Sequence, residues 1–222
     1  MRILRCAGLI IVLISTSFAQ DKPVPVENEP HHRVVFKNDF IEVMRVNLKP
    51  DARTLYHTHA HDRAAVELSN ASITQQKFGD AEAPANAIKP GDVSISTTPA
   101  GGYSHRVHNV GTSLFDVLDV EFLQPPDKPS EAIAGPLIGE NPSARAYRWE
   151  LAPGAKSPEH THYRPYLIVA ATPMQLKMTA PDGQSRAETV TPGDFHWVDA
   201  PVTHVLANEG STPGTIVEFE LK

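Results

Sequence analysis

At 222 residues, with 41% hydrophobic and 21% charged side chains, the chain has an ordinary globular composition and room for one large domain or two small ones. A net charge of −6 speaks against a nucleic-acid-binding surface, and 20 prolines speak against a helical protein. Histidine is plentiful, at 11 residues.

The N-terminus reads as a secretory leader. Arg2 and Arg5 form a basic region, Ala7 to Ile14 an apolar run too short to span a bilayer, and Ser17-Phe18-Ala19 a small-x-small cleavage site. Residues 1–19 are therefore expected to be a signal peptide cut after Ala19, which implies a periplasmic or secreted protein with no membrane attachment after cleavage. Cleavage removes two arginines, leaving 20 − 2 = 18 basic against 26 acidic residues, or −8. It also removes Cys6, the one cysteine, so any metal ligands are His, Asp or Glu.

Residues 20–33 read as an extended arm, in which His31 and His32 receive no role. From residue 34 onward, short runs rich in Val, Ile, Phe and Thr alternate with Pro/Gly/Asp turns, the pattern of an all-β protein. The segment 125–143 is rich in proline and reads as a linker between two units, 34–124 and 144–222.

The two units repeat one another. His57-Thr58-His59 matches His160-Thr161-His162 at an offset of 160 − 57 = 103. Pro90-Gly91-Asp92 matches Pro192-Gly193-Asp194 at 102, and His105, Asn109, Gly111 and Glu121 match His204, Asn208, Gly210 and Glu220 at 99. Ordered matches with so small a drift indicate two copies of one fold. His-x-His on a strand places both imidazoles on one face. A third histidine follows on a later strand, so His57, His59 and His105, and likewise His160, His162 and His204, are candidate ligands for one divalent ion per unit. Other readings are structural. Arg45 and Arg148 are expected in outer-face salt bridges and Asn109 and Asn208 in turn geometry. Trp149 and Trp197 are expected in the core or between the units. His61 is expected in a solvent-facing loop, and His108 turned away from His105.

These motifs resemble those of the cupin superfamily, whose first motif is G-x5-H-x-H-x(3,4)-E-x6-G and whose second is G-x5-P-x-G-x2-H-x3-N. Here they stand as Asp51-x5-His57-x-His59 and Gly154-x5-His160-x-His162, and as Gly91…Pro99…His105-x3-Asn109 and Gly193…Pro201-x2-His204-x3-Asn208. The resemblance implies two tandem double-sheet β-barrels, or jelly rolls, with a metal inside each. It also implies barrels that often associate through sheet edges, making a homodimer a candidate assembly. The family's usual fourth ligand, a glutamate soon after His-x-His, is expected to align with Ala64 in the first unit and Tyr166 in the second. Glu67, three residues beyond Ala64, is then expected on the opposite strand face. An ion held by three neutral imidazoles keeps its full +2 charge and favours a small anionic ligand. The ion itself, iron, zinc, manganese or copper, is left open. The resemblance allows an oxygenase acting on a small anionic organic substrate, a non-redox isomerase or hydrolase, or a non-catalytic metal- or ligand-binding protein. Glu67 and Tyr166 are the candidate proton-handling residues, with Glu159 a weaker third.

Overall fold

The structure, a computed structural model, describes residues 22–124 and 131–222. The expected leader, with Cys6, and the first part of the expected linker lie outside the described residues. Ten strands precede the linker: β1 (Val24–Pro25), β2 (His32–Lys37), β3 (Ile41–Leu48), β4 (His57–His59), β5 (Asp62–Glu67), β6 (Ala71–Lys77), β7 (Asn86–Ile88), β8 (Val93–Ser96), β9 (Tyr103–Asn109) and β10 (Phe115–Phe122). Nine follow: β11 (Leu137–Glu140), β12 (Ala144–Leu151), β13 (His160–His162), β14 (Tyr166–Ala170), β15 (Met174–Thr179), β16 (Ser185–Val190), β17 (Phe195–Val198), β18 (Val202–Asn208) and β19 (Gly214–Leu221). The described residues contain no α-helix; a single 3-10 turn spans Val26–Asn28.

Barrel 1 closes from the sheets β1-β4-β9-β6-β7 and β2-β3-β10-β5-β8, and barrel 2 from β11-β12-β19-β14-β17 and β13-β18-β15-β16. The expected two-barrel all-β fold is what the chain adopts. Two boundaries differ from the sequence reading. Residues of the arm belong to barrel 1, because β1 pairs in parallel with β4 and His32 opens β2. The C-terminal part of the linker segment is β11, an edge strand of barrel 2.

The central strands are apolar on both faces because each face meets a different core. On β10, Phe115 and Val117 face the inside of barrel 1, while Leu118, Val120 and Phe122 face the other barrel. On β19, Ile216 points inward and Val217, Phe219 and Leu221 point outward. The outward faces of β3, β5 and β10 meet those of β12, β14 and β19 in one continuous core, so two sheets pack face to face between the barrels. A side-chain period of two forces this division, and a one-residue slip would exchange the two cores.

Arg45 and Arg148 sit at the edge of that interface as a reciprocal pair. Arg45 forks onto Asp116 at 2.9 and 2.6 Å and donates to the Pro192 carbonyl of the opposite Pro-Gly-Asp turn. Arg148 pairs with Glu150 and donates to the Gly91 carbonyl of the other turn. Gly193, at φ +88°, allows this approach: a Cβ there would stand 2.7 Å from Arg45 Nη1. Trp197 packs against the same interface, stacked on Phe40 of barrel 1 at 5.8 Å.

Candidate metal centres

In both barrels the His-x-His strand pairs antiparallel with the strand bearing the third histidine. His57 lies opposite His105 and His160 opposite His204. Each cluster is thus built from two neighbouring strands whose inward faces coincide. All six imidazoles are buried.

In barrel 1, His59 Nε2 lies 3.1 Å from His105 Nε2. Imidazole nitrogens sharing an ion at about 2.1 Å stand roughly 3 Å apart, so this spacing fits a common metal. His57 Nε2 is buried with no hydrogen-bond partner, as an unused ligand atom would be. The Nδ1 atoms are occupied elsewhere: His57 Nδ1 lies 3.0 Å from the Leu55 carbonyl and His59 Nδ1 2.9 Å from Glu121 Oε1. Such second contacts orient the rings and leave Nε2 for a metal.

The arm adds a histidine that spacing did not reveal. His32, His57 and His59 each present a ligand atom within 4.8 Å of the others. His32 Nδ1 contacts Glu29 Oε2 at 2.7 Å, and Glu29 also receives the Leu55 backbone N–H. Burial opposes ionisation of Glu29, but its bonds to His32 and His31 hold it down at about 2.

In barrel 2, His160, His162, His204 and Glu218 form one buried group. Glu218 Oε2 lies 3.5 Å from His160 Nε2 and 3.4 Å from His162 Nε2, and Oε1 lies 3.3 Å from His204 Nε2. The outer contacts repeat: His160 Nδ1 meets the Pro158 carbonyl at 3.0 Å and His162 Nδ1 lies 3.4 Å from Glu220 Oε1. Burial alone would lower His162, yet the Glu218 and Glu220 carboxylates raise it to about 9 in the metal-free protein.

Glu218 corrects the expectation of two carboxylate-free sites. It enters from the last strand rather than from the strand after His-x-His, so the motif position did not disclose it. Its counterpart at offset 99 is Asp119, one methylene shorter, which stops 3.9 Å from His59 Nε2. The carboxylate therefore joins the ligand group in barrel 2 and falls short of it in barrel 1.

The alignment at the motif glutamate also needs correction. Strand register places Arg63 opposite Glu121 and Tyr166 opposite Glu220, so Tyr166 corresponds to Arg63 and not to Ala64. Ala64 faces the inter-barrel core. Glu67 lies on the face opposite Ala64, as expected, but that face is the inner one, which it shares with Arg63 and Ala65, and it lines the barrel 1 cavity. Tyr166 stacks on His162 at 3.8 Å, with its hydroxyl 3.3 Å from His204 Nδ1. Glu159 is exposed. His61 is half-buried in the turn outside the cluster, and His196 bonds Glu188. His108 turns away from His105 to Arg53 and Asp51, as expected.

The two interiors are filled by different side chains. Barrel 1 contains a cavity of about 220 Å³ that reaches His32, His105 and Asp119. Its walls are Val46, Arg63 and Ala65, where barrel 2 has Trp149, Tyr166 and Ile168. Trp149 stacks on His160 and donates to Glu218 Oε2 at 2.7 Å, so the second cluster is roofed by aromatic rings. A more open groove reaches Tyr166 and His204 from the mouth of barrel 2.

A curated relative, the β-alanine degradation protein BauB of Pseudomonas aeruginosa, is 30% identical over 83 residues, covering 37% of this chain and 86% of BauB. The fold superposes on a cupin 2 conserved barrel domain protein from Leptotrichia buccalis with a TM-score of 0.52, covering 85% of this chain and 87% of that one at 12% identity. The chain has the cupin fold, built as two tandem barrels. This bicupin also superposes on AerE from Microcystis aeruginosa with a TM-score of 0.64, at 14% identity over 90% of this chain and 98% of AerE. No protein-family model matches it.

Proposed function

We propose that this bicupin is a metal-dependent enzyme acting on a small organic anion in barrel 1, while barrel 2 holds its ion in a structural setting packed by Trp149 and Tyr166. The observation that carries the reading is the contrast between the interiors. One histidine cluster adjoins a cavity, and the equivalent space over the other is filled by Trp149 and Tyr166. His57 and His59 would hold the ion of barrel 1, with His32 completing their group and His105 standing 3.1 Å from His59 Nε2. The ligand set is neutral there, with Asp119 outside it at 3.9 Å from His59 Nε2, so the ion would present more positive charge to the cavity than in barrel 2 and favour an anion. Glu218 halves that charge in barrel 2. A divalent ion would supply Lewis acidity to a substrate oxygen.

Glu67 supports proton-transfer chemistry without a redox step. It is a cavity carboxyl with Oε2 buried and unpartnered. Burial, then the negative charges of Asp119, Asp92 and Asp116, raises it to about 8, so it carries a proton near neutral pH and can give or take one. A second reading, an oxygenase, is favoured by the all-imidazole ligand set of barrel 1 and requires a redox-active ion. The name of BauB, tied to degradation of a small amino acid, agrees with a small carboxylate substrate. The expected leader adds that the ion is taken up outside the cytoplasm, where zinc and copper outcompete iron and manganese for imidazole.

The test is metal analysis of the untagged protein beside His57→Ala and His160→Ala, joined to a turnover screen of short organic acids. We expect about one ion per barrel and the loss of one ion in each variant. Turnover should vanish in His57→Ala and persist in a folded His160→Ala. Wild-type protein that takes up no metal on reloading would refute the reading.

A further inference from the structure

Arg63 is the cavity-wall arginine, and no carboxylate among the described residues is bonded to it. Its guanidinium makes no hydrogen bond or ion pair among the described residues and has only the Tyr103 ring beneath it, at 5.4 Å. Yet it faces the cavity close enough to His105 and Asp119 to perturb both. Arg63 is half-buried, and a guanidinium carries five N–H donors in a planar fork, so donors that no protein group meets are open to the acceptors of a ligand in the cavity. The fork matches one chemical group best, a carboxylate gripped through two parallel bonds.

The rest of the wall defines what such a carboxylate is attached to. Glu67 lies four residues along β5 on the same face, about 13 Å away between Cα atoms, with the small Ala65 between them. On the paired strand β8, Ser96 lies beside Arg63 and Ser94 beside Ala65, and both border the cavity. Val107 and Val117 give the middle an apolar lining. The cavity is thus polar at both ends and apolar between.

We propose that barrel 1 takes a short-chain carboxylic acid, its carboxylate forked onto Arg63, its carbon body over Ala65, and a polar far end at Glu67. The acid lies beside the histidine cluster, so the inference rests on the reading of barrel 1 as the ligand site and names the ligand class for it. Asp119 is the opposing charge in the cavity, and the arginine offsets it even without metal. Barrel 2 offers no equivalent anchor, since Tyr166 stands at the matching position.

The probes are butyrate and its uncharged isostere butyramide, titrated by ligand-observed NMR into metal-free and zinc-loaded protein. Wild-type protein should bind butyrate at least about tenfold more tightly than butyramide in both states, in line with loss of a charge-assisted bidentate pair. Arg63→Gln should abolish that preference while its metal content and melting temperature stay at wild-type values. If Arg63→Gln does not fold, Arg63→Lys serves, with an intermediate preference expected because it keeps the charge and loses the fork. Equal binding of the two probes by wild-type protein, or an undiminished preference in the arginine variant, overturns the inference. A preference that persists in protein unable to bind any metal would refute the metal reading and leave the Arg63 anchor standing.

Discussion

Asn109 and Asn208 show how much of a β-turn one buried side chain can determine. Asn109 donates to the Leu48 and Ser113 carbonyls and accepts from the Gly111 N–H, and Asn208 repeats the set with Leu151, Thr212 and Gly210. Their turn role was legible from the repeat, because a polar residue recurring beside a glycine at one offset has few other uses. Glu67 does lie opposite Ala64, but the face of Ala64 meets the second barrel and that of Glu67 the interior, which alternation alone does not decide. Glu218 was hidden for a different reason. The glutamates at 121 and 220 matched visibly, but their inward neighbours two residues earlier differ, Asp119 against Glu218, and the functional difference lies in that methylene. At this scale Glu67 yields a prediction. Its folded pKa of about 8 lies above the usual carboxyl value of 4.5, so the stability tied to its proton is present in full below about pH 4.5 and is lost as pH rises through 8. Glu67→Gln should therefore melt a few degrees above wild type at pH 8.5 and level with it at pH 4, by calorimetry.

At the scale of elements, the N-terminal arm most alters the picture drawn from sequence. Two parallel residues on β4 and the turn Val26–Asn28 seat it so that His32 reaches the cluster. No local pattern announces this, since the arm's partner lies more than twenty residues downstream and the pairing is tertiary. Strand alternation, by contrast, made His57 with His59 and His160 with His162 legible, because a period of two requires no knowledge of the fold. Removal of one metal-orienting or ligating group typically costs 10–100-fold in affinity. His32→Ala is expected to weaken zinc binding in barrel 1 by about that factor and to leave barrel 2 unchanged, as read by chelator competition. Equal affinities for the two sites in wild type and variant would count against a ligand role for the arm.

On the scale of the whole molecule, the barrels share one core, so they are expected to unfold together. Two tandem barrels were readable from the repeated motifs; their face-to-face docking was not, because an apolar outward face looks the same in sequence whether it meets another barrel or another chain. Leu118 is fully buried in this shared core. Leu118→Asp places an unpaired carboxylate between the sheets and should cost several kcal/mol, on the order of 4. We expect a single calorimetric transition in the wild type and two resolved transitions in the variant.

The crossed contacts of Arg45 and Arg148, each reaching the Pro-Gly-Asp turn of the opposite barrel, give the interface an approximate twofold axis within one chain. A symmetric dimer of single barrels must carry every substitution twice, so a cavity opened in one subunit is opened in both, with the loss of packing felt doubly. Fusing the halves releases them from that constraint. Here one half carries an aromatic filling, Trp149 and Tyr166, and its twin has Val46 and Arg63 at those positions, chemistry in place of bulk.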